Sequence, residues 1–183
     1  MIDSQLRTSG VNAEYVLRRM ISVPRENFVP EAARGFAYMD RAIALGNGRF
    51  LAAPVVQGTM LQEAGPLPTD KALLVDGGSG YLAELLRPLV GSLEVVDPAA
   101  AASASRKGGD FTLVLIDGAI EHLPETLVRR MVDDARILTG LVRSGICSLA
   151  IGRKAAGNVT LLPVIEMGIP SRPEVAAPKE WSF

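Results

Sequence analysis

The sequence predicts an α/β protein built on a mostly parallel, doubly wound sheet, and two observations support this fold class. From Lys71 onward, short apolar strands alternate with helical segments, as they do in βαβ units. The first of these strands, residues 72–75, runs directly into a glycine-rich turn that opens a helix. A chain of 183 residues, 48% apolar and 21% charged, is long enough for one well-buried domain and short for two. We therefore expect residues 1–183 to form a single domain.

The domain is predicted to have three parts. A helical N-terminal extension covers residues 1–62, with short helices at 11–20, 31–39 and 54–61. The core, residues 71–169, begins with strands at 72–75, 92–96 and 111–116 and helices at 79–89 and 125–135. It ends in strands at 137–142, 146–151 and 159–165, whose short turns predict an antiparallel edge. The tail, residues 170–183, contains three prolines and is predicted to be extended.

Composition and charge exclude several classes of function. With 19 basic and 20 acidic residues and no basic tract, the chain lacks the positive surface that nucleic acid requires. No apolar run approaches the roughly 18 residues of a membrane-spanning helix, and the polar start, residues 1–7, does not resemble a signal peptide. The lone Cys147 fits a reducing compartment, so we expect a cytoplasmic protein. One histidine and one cysteine give little material for a metal site.

The glycine-rich turn is the first candidate for a ligand site. Gly77, Gly78 and Gly80 allow close approach of a ligand to the backbone, although such a turn is as often only tight packing between strand and helix. Asp97 closes the next strand 17 residues after Gly80, a spacing from which a carboxylate accepts hydrogen bonds from a ribose. The turn and the acid together favour a nucleotide-like ligand.

The connection after Asp97 is unusually short. Only 12 residues, 98–109, separate it from the next strand at Asp110, where a doubly wound sheet normally has a helix, an edge strand and a second connection. Twelve residues permit one crossover at most. The sequence therefore predicts a sheet that lacks one edge strand-helix unit and exposes the backbone of residues 92–96. Either the alanine-rich connector covers this edge as a short helix or a second subunit does so by strand addition.

Specific blocks of sequence carry a resemblance to a known family. They are residues 1–7 (MIDSQLR), 16–31 (VLRRMISVPRENFVPE), 37–41 (AYMDR) and 77–81 (GGSGY), with a weaker likeness as far as Pro124. The chain resembles the protein-L-isoaspartate O-methyltransferase family, whose members are S-adenosylmethionine-dependent enzymes that methylate isoaspartyl carboxylates in damaged proteins. The resemblance implies a Rossmann-like fold, S-adenosylmethionine as cofactor, no metal and a protein substrate or partner.

The resemblance also implies site residues. The cofactor-facing positions are Asp76, Gly77, Gly78, Ser79, Gly80, Tyr81 and Asp97, and the substrate-cleft positions are Arg49, Phe50 and Ala52. Several depart from the family pattern: Leu74 stands at an acidic position, Asp76 at the first turn glycine, and Phe50-Leu51-Ala52 at a Thr-Ile-Ser segment that positions the substrate carboxylate. Arg49 either binds an anion in the cleft or stays solvated. No residue is assigned a catalytic role.

Two roles are open for Asp117, because it follows a predicted strand and precedes a glycine. At the carboxyl edge of the sheet it would contact a ligand. A carboxylate that caps an Asp117-Gly118 turn is the commoner arrangement.

Two functions remain open. S-adenosylmethionine carries a carboxylate, and an ionised Asp76 about 4 Å from it would repel it by roughly 1 to 4 kcal/mol. We therefore expect an eroded site, with weak or lost catalysis, on a fold kept as a module that binds a protein partner or a different small ligand. The alternative is an active methyltransferase acting on isoaspartyl or related protein carboxylates. Homo-oligomers through the exposed sheet edge are a further expectation.

Overall fold

The computed structural model describes residues 1–102 and 109–171 of the chain. The strands are β1 (Ile43–Gly46), β2 (Arg49–Leu51), β3 (Lys71–Val75), β4 (Ser92–Val96), β5 (Phe111–Ile120), β6 (Met131–Arg143), β7 (Ile146–Ala155) and β8 (Asn158–Glu166). The α-helices are α1 (Glu14–Ser22), α2 (Pro54–Ala64), α3 (Tyr81–Leu86), α4 (Pro98–Ala102) and α5 (Glu125–Val128). Shorter helical turns lie at Ile2–Leu6, Arg7–Ser9, Arg25–Phe28, Glu31–Phe36 and Arg87–Leu89.

The central sheet has the strand order β4-β3-β5-β6-β7-β8. β3 pairs in parallel with both β4 and β5, and β5 pairs in parallel with β6. β7 and β8 continue as an antiparallel meander from β6. The predicted fold class, a mostly parallel sheet with an antiparallel C-terminal edge, is confirmed.

Both faces of the sheet are covered, which explains the continuous apolar character of its central strands. In β3, Leu74 faces the core formed with the N-terminal extension and α3, whereas Leu73 and Val75 face a second core. Leu127 of α5 and Ala101 of α4 pack into that second core. The two cores hold the carboxyl ends of β3 and β4 in fixed positions.

β4 lies at one edge of the sheet. Within the described residues it pairs only with β3, so the prediction of a missing edge unit is confirmed. The alanine-rich connector begins as the short helix α4, and residues 103–108 lie outside the described part of the chain. Pairing of β4 with a second subunit stays a prediction. None of the described helices has the length and apolar character needed to cross a membrane.

The predicted helix at 125–135 is wrong beyond its first turn. α5 ends at Val128, and β6 begins at Met131. The β5–β6 register passes from Phe111↔Met131 to Leu113↔Arg136, so the residues between Met131 and Arg136 form a bulge. Asp134, with φ of 66°, lies in this bulge. Pairing with β5 overrides the helical spacing of the local sequence.

The alternative in which Asp117 caps a turn is also wrong. The strand predicted at 111–116 continues to Ile120, and Asp117 and Gly118 lie inside it. The register passes from Ile116↔Thr139 to Ala119↔Gly140, so these two residues form a bulge in β5. The tail prediction for 170–183 falls mostly outside the described residues, which end at Ser171 beside Ala119.

Candidate functional site

A cavity of about 390 Å³ opens at the carboxyl ends of β3 and β4. This is the edge at which open α/β sheets bind ligands, and the volume lies in the range of small-molecule sites. We call it the inner chamber; its lining residues are Asn47, Gly48, Arg49, Asp76, Gly77, Gly78, Val95, Val96, Asp97, Pro98 and Ala99.

The turn between β3 and α3 forms one wall of the inner chamber. Gly78 has φ of 94° and Gly80 has φ of 73°, conformations that side chains with a Cβ rarely adopt. Gly80 is the N-cap residue of α3, and the Ser79 hydroxyl accepts a hydrogen bond from the Tyr81 backbone N–H at 3.2 Å. The Tyr81 N–H at the start of α3 is therefore satisfied within the turn.

The Asp76 side chain satisfies two of the backbone N–H donors of the turn. Its carboxylate accepts hydrogen bonds from the backbone N–H of Gly78 at 2.8 Å and of Gly80 at 3.2 Å. Its own N–H donates to the Val96 carbonyl at 2.9 Å, which ties the turn to β4. Two N–H groups that a glycine turn would offer to a ligand anion are thus engaged by an internal carboxylate.

A β-hairpin that the sequence did not predict covers the turn. β1 and β2 pair in an antiparallel arrangement around Asn47 and Gly48, and the Phe50 N–H donates to the Gly77 carbonyl at 3.3 Å. The Arg49 side chain crosses Gly78: a Cβ built on Gly78 would lie 2.5 to 2.8 Å from three carbons of the Arg49 stem. The Asn47-Gly48 pair, with Leu45 two residues before it and Phe50 two residues after it, was the available signal for this hairpin.

A second hollow of about 290 Å³ adjoins the inner chamber at Arg49 and Gly78. We call it the outer chamber; its lining residues are Asn27, Phe28, Val29, Pro30, Leu45, Arg49, Gly78 and Ser79. Arg49 and Gly78 line both chambers. The two hollows are therefore neighbours separated at these residues.

Asp97 lines the inner chamber and also has a local structural role. One of its carboxylate oxygens accepts a hydrogen bond from the Ala100 N–H at 2.8 Å, which caps the first turn of α4. The residue is exposed, at the carboxyl end of β4. Its position is compatible with contact to a hydroxyl-bearing ligand.

A fully buried polar network, which we call the Arg25 network, lies beneath the cleft. The Arg25 guanidinium donates to the carbonyls of Ala37 at 2.8 Å and Ala52 at 2.7 Å, and to Gln57 Oε1 at 2.9 Å. Gln57 Nε2 donates to an Asp117 carboxylate oxygen at 3.2 Å. Asp117 is only 2% exposed. It lies in the protein interior, and it is not among the residues that line either chamber.

Tyr81 also belongs to this interior. The Arg25 guanidinium carbon lies 4.7 Å from the centre of the Tyr81 ring, and the Phe28 ring meets that ring edge-on at 5.1 Å. Burial lowers the pKa of Arg25, and burial raises the pKa of Tyr81 to about 12. Arg25 and Gln57 were not predicted as important. Gln57 is a lone polar residue after two valines, which is a weak signal, whereas Arg25 begins the polar run Arg25-Glu26-Asn27 and gives none.

The structure brings some of the predicted site residues together and separates others. Around the inner chamber it assembles Asp76, Gly77, Gly78, Asp97 and Arg49, while Ser79 lines the outer chamber. Ala52 is buried, with its carbonyl bound to Arg25, and Phe50 meets the turn through its backbone. No cluster of three or more metal-ligating side chains occurs among the described residues.

Comparisons with solved structures agree with the fold. A Plasmodium falciparum protein assigned as a protein-L-isoaspartate O-methyltransferase, solved in complex with S-adenosyl-L-homocysteine, matches with a TM-score of 0.70 and 16% identity over 91% of this chain and 94% of that one. Another protein-L-isoaspartate O-methyltransferase matches with a TM-score of 0.73 and 14% identity, over 91% of this chain and 63% of that one. The fold is that of Rossmann-like methyltransferases.

Sequence comparison gives the family. The family model described as Protein-L-isoaspartate(D-aspartate) O-methyltransferase (PCMT) matches residues 1–97. Proteins named protein-L-isoaspartate O-methyltransferase match as well: 49% identical in Aeropyrum pernix, over 47% of this chain and 34% of that protein, and 28% identical in Koribacter versatilis, over 87% and 82%. The chain belongs to the protein-L-isoaspartate O-methyltransferase family, as its resemblance implied.

The extent of the matches differs among relatives. The match with Aeropyrum pernix covers about a third of that protein, and a match at 34% identity with Roseiflexus castenholzii covers 68% of this chain and 60% of the relative. The family model itself ends at Asp97, where the shortened connection begins. The strongest likeness therefore lies in the N-terminal extension, β3, the glycine turn and β4.

Proposed function

We propose that this family member has lost efficient use of S-adenosylmethionine and that its fold serves as a module for binding a protein partner or a different small ligand. One observation carries the proposal: the Asp76 carboxylate accepts hydrogen bonds from the Gly78 and Gly80 N–H groups. The cofactor's amino-acid end, which includes a carboxylate, would need these N–H groups. The residues at the turn therefore do not fit S-adenosylmethionine.

The misfit has two components. An ionised carboxylate about 4 Å from a second one is repelled by roughly 1 to 4 kcal/mol at the dielectric constants of water and of protein surfaces. The ligand also loses hydrogen bonds that the turn would otherwise donate, because Asp76 already accepts them. The first component alone corresponds to roughly a 5- to 1000-fold loss of affinity.

The substrate side of the cleft supports the same proposal. Ala52 and Phe50 stand at the hydroxyl-bearing positions of the family, and methyl transfer depends on holding the nucleophile in line with the methyl group. The Ala52 carbonyl is engaged by Arg25 in the interior. No side-chain hydroxyl at these positions is left to position a substrate carboxylate.

An active methyltransferase acting on isoaspartyl or related protein carboxylates is the second candidate. It is favoured by the inner chamber itself, which keeps a small-molecule volume and the Asp97 carboxylate. The names of the relatives and the S-adenosyl-L-homocysteine bound to the Plasmodium falciparum protein point in the same direction. In this case the cofactor would bind beside Asp76 in a changed pose.

Calorimetric titration with S-adenosylmethionine separates the two candidates. We expect no micromolar binding by the wild-type protein, and an affinity gain of roughly 5- to 1000-fold in Asp76→Gly, because the repelling charge is removed. Asp76→Asn is the matched control, since it removes the charge and keeps the size of the side chain. Micromolar binding by the wild-type protein, together with methyl transfer to an isoaspartyl peptide, would refute the proposal.

Three further expectations accompany the proposal. The chain is taken as a single domain, as a cytoplasmic protein on the basis of its cysteine content, and as able to pair with a second copy through β4. The last is supported by the edge position of β4, where Val95 is 40% exposed. Light scattering that shows a strict monomer would remove it.

A further inference from the structure

The side chain of Arg49 divides a longer groove. The inner chamber, with Asp97 at one end, and the outer chamber, with Ser79 at the other, both reach Arg49 and Gly78 and stop there. Their combined length runs from the carboxyl end of β4 across the glycine turn. Neither chamber alone extends over this distance, because the Arg49 stem lies between them.

The contact between Arg49 and Gly78 leaves no free space. A Cβ built on Gly78 would lie 2.5 Å from Arg49 Cγ, 2.7 Å from Cδ and 2.8 Å from Cβ. Carbon atoms in ordinary contact are separated by about 3.5 to 4.0 Å. The aliphatic stem thus rests directly on the backbone of the turn, and a ligand that crosses Gly78 has to displace it.

Packing alone keeps the Arg49 side chain in place, as far as the described residues show. With those residues it forms no side-chain hydrogen bond and no ion pair, and it is exposed to solvent despite its contact with Gly78. The hairpin around it is anchored separately, by the Phe50 N–H bond to the Gly77 carbonyl. Shortening the side chain at position 49 should therefore open the groove without releasing the hairpin.

We propose that Arg49 is a specificity-determining residue that limits this cleft to ligands that fit in one chamber. A nucleoside is such a ligand, with a diol for Asp97 and a flat aromatic base whose faces can pack against the walls formed by Val95, Val96 and Pro98. A nucleoside with an amino-acid tail must cross Gly78, and Arg49 blocks it. The inference rests on the proposed function, in which the turn no longer fits S-adenosylmethionine, but it concerns a different residue and a steric cause.

Paired titrations with adenosine and S-adenosylhomocysteine test the inference. The two probes share the nucleoside and differ in the tail. In Arg49→Ala we expect the affinity for S-adenosylhomocysteine to rise at least tenfold and the affinity for adenosine to change less than about twofold. Arg49→Lys is the matched control: it keeps a long stem over Gly78 and should behave like the wild-type protein.

The same titrations in an Asp76→Gly background separate this inference from the proposed function. If Asp76→Gly restores binding of S-adenosylhomocysteine and Arg49→Ala adds nothing, the inference that Arg49 separates the two chambers is refuted while the proposed function stands. If the wild-type protein binds S-adenosylmethionine at micromolar concentration, the proposed function fails. A tenfold gain of affinity for S-adenosylhomocysteine in Arg49→Ala would still support the inference that Arg49 separates the two chambers.

Two other outcomes overturn the inference. A loss of affinity for S-adenosylhomocysteine in Arg49→Ala would mean that the guanidinium binds the tail carboxylate instead of blocking it. Failure of every variant to bind adenosine or S-adenosylhomocysteine would mean that the inner chamber is not a nucleoside site. Circular dichroism spectra and melting curves of each variant establish that the fold is intact.

Discussion

The Arg25 network and the glycine turn are neighbouring polar regions with opposite properties. Arg25 is 0% exposed, and its guanidinium joins residues from three separate segments of the chain. The turn is accessible from two chambers, and among the residues that the structure describes its Asp76 carboxylate bonds only to nearby N–H groups. The first region stabilises the fold, and the second can change its partners. We therefore expect substitutions in the turn to change mainly ligand binding, and substitutions in the Arg25 network to lower the free energy of unfolding more.

The largest expected effect comes from removing the buried guanidinium. Arg25→Met leaves the Ala37 and Ala52 carbonyls and Gln57 Oε1 without their donor, and we expect a loss of about 3 to 5 kcal/mol in the free energy of unfolding. Arg18→Met, at an exposed position on α1, should change it by less than about 0.5 kcal/mol. Denaturant unfolding measures both. A loss below about 1 kcal/mol for Arg25→Met would remove the distinction between the two regions.

A smaller effect is expected within the turn itself. Gly78→Ala introduces a Cβ at φ of 94° and against the Arg49 stem, and we expect it to lower the free energy of unfolding by about 1 to 3 kcal/mol. Gly80→Ala is the matched control, because φ is 73° there but no atom lies within 4 Å of the added Cβ. Gly78→Ala should lower the free energy of unfolding more than Gly80→Ala does, and this difference should disappear in an Arg49→Ala background. If it persists in a double-mutant cycle, Arg49 does not press on the turn.

The smallest effect is a pH dependence of the network. Burial raises the pKa of Tyr81 to about 12, whereas the unfolded chain has the ordinary value near 10. The resulting contribution of Tyr81 to the free energy of unfolding is fully present below pH 10. It is lost as the pH rises toward 12, by about 1 kcal/mol at pH 11. Unfolding curves of the wild-type protein and Tyr81→Phe at pH 8 and 11 measure the difference. Equal pH dependence in both proteins would contradict the buried position of the hydroxyl.

Local sequence was sufficient for the elements whose neighbours in space are also close in sequence. The strand at 92–96 was predicted with its observed bounds, and the unusual position of Asp76 was evident from the glycine pattern. The hydrogen bonds of Asp76 with the N–H groups of Gly78 and Gly80 could not be predicted from the sequence, because they depend on the side-chain conformation within the folded turn. The Asp76 carboxylate, which the sequence predicted only to repel a ligand, also occupies two backbone N–H donors that a ligand would use.

Residues with distant partners were the ones that the sequence could not resolve. The helix predicted beyond Val128 became β6 because a neighbouring strand was available to pair with it. Asp117 looked like a turn residue at a ligand edge, and it is instead a buried partner of Gln57, 60 residues away. In both cases the deciding contact is long-range, and no local pattern contains it.

The span of the Arg25 network has a consequence for synthesis of the protein on the ribosome. The partners of Arg25, namely Ala37, Ala52 and Gln57, are synthesised early, but the Asp117 partner of Gln57 is available only once β5 has been made. Because domains generally fold as units, the N-terminal extension has to wait, with its guanidinium hydrated, until more than half of the chain has emerged. A nascent chain arrested before Asp117 should therefore be far more sensitive to protease than one arrested after β6.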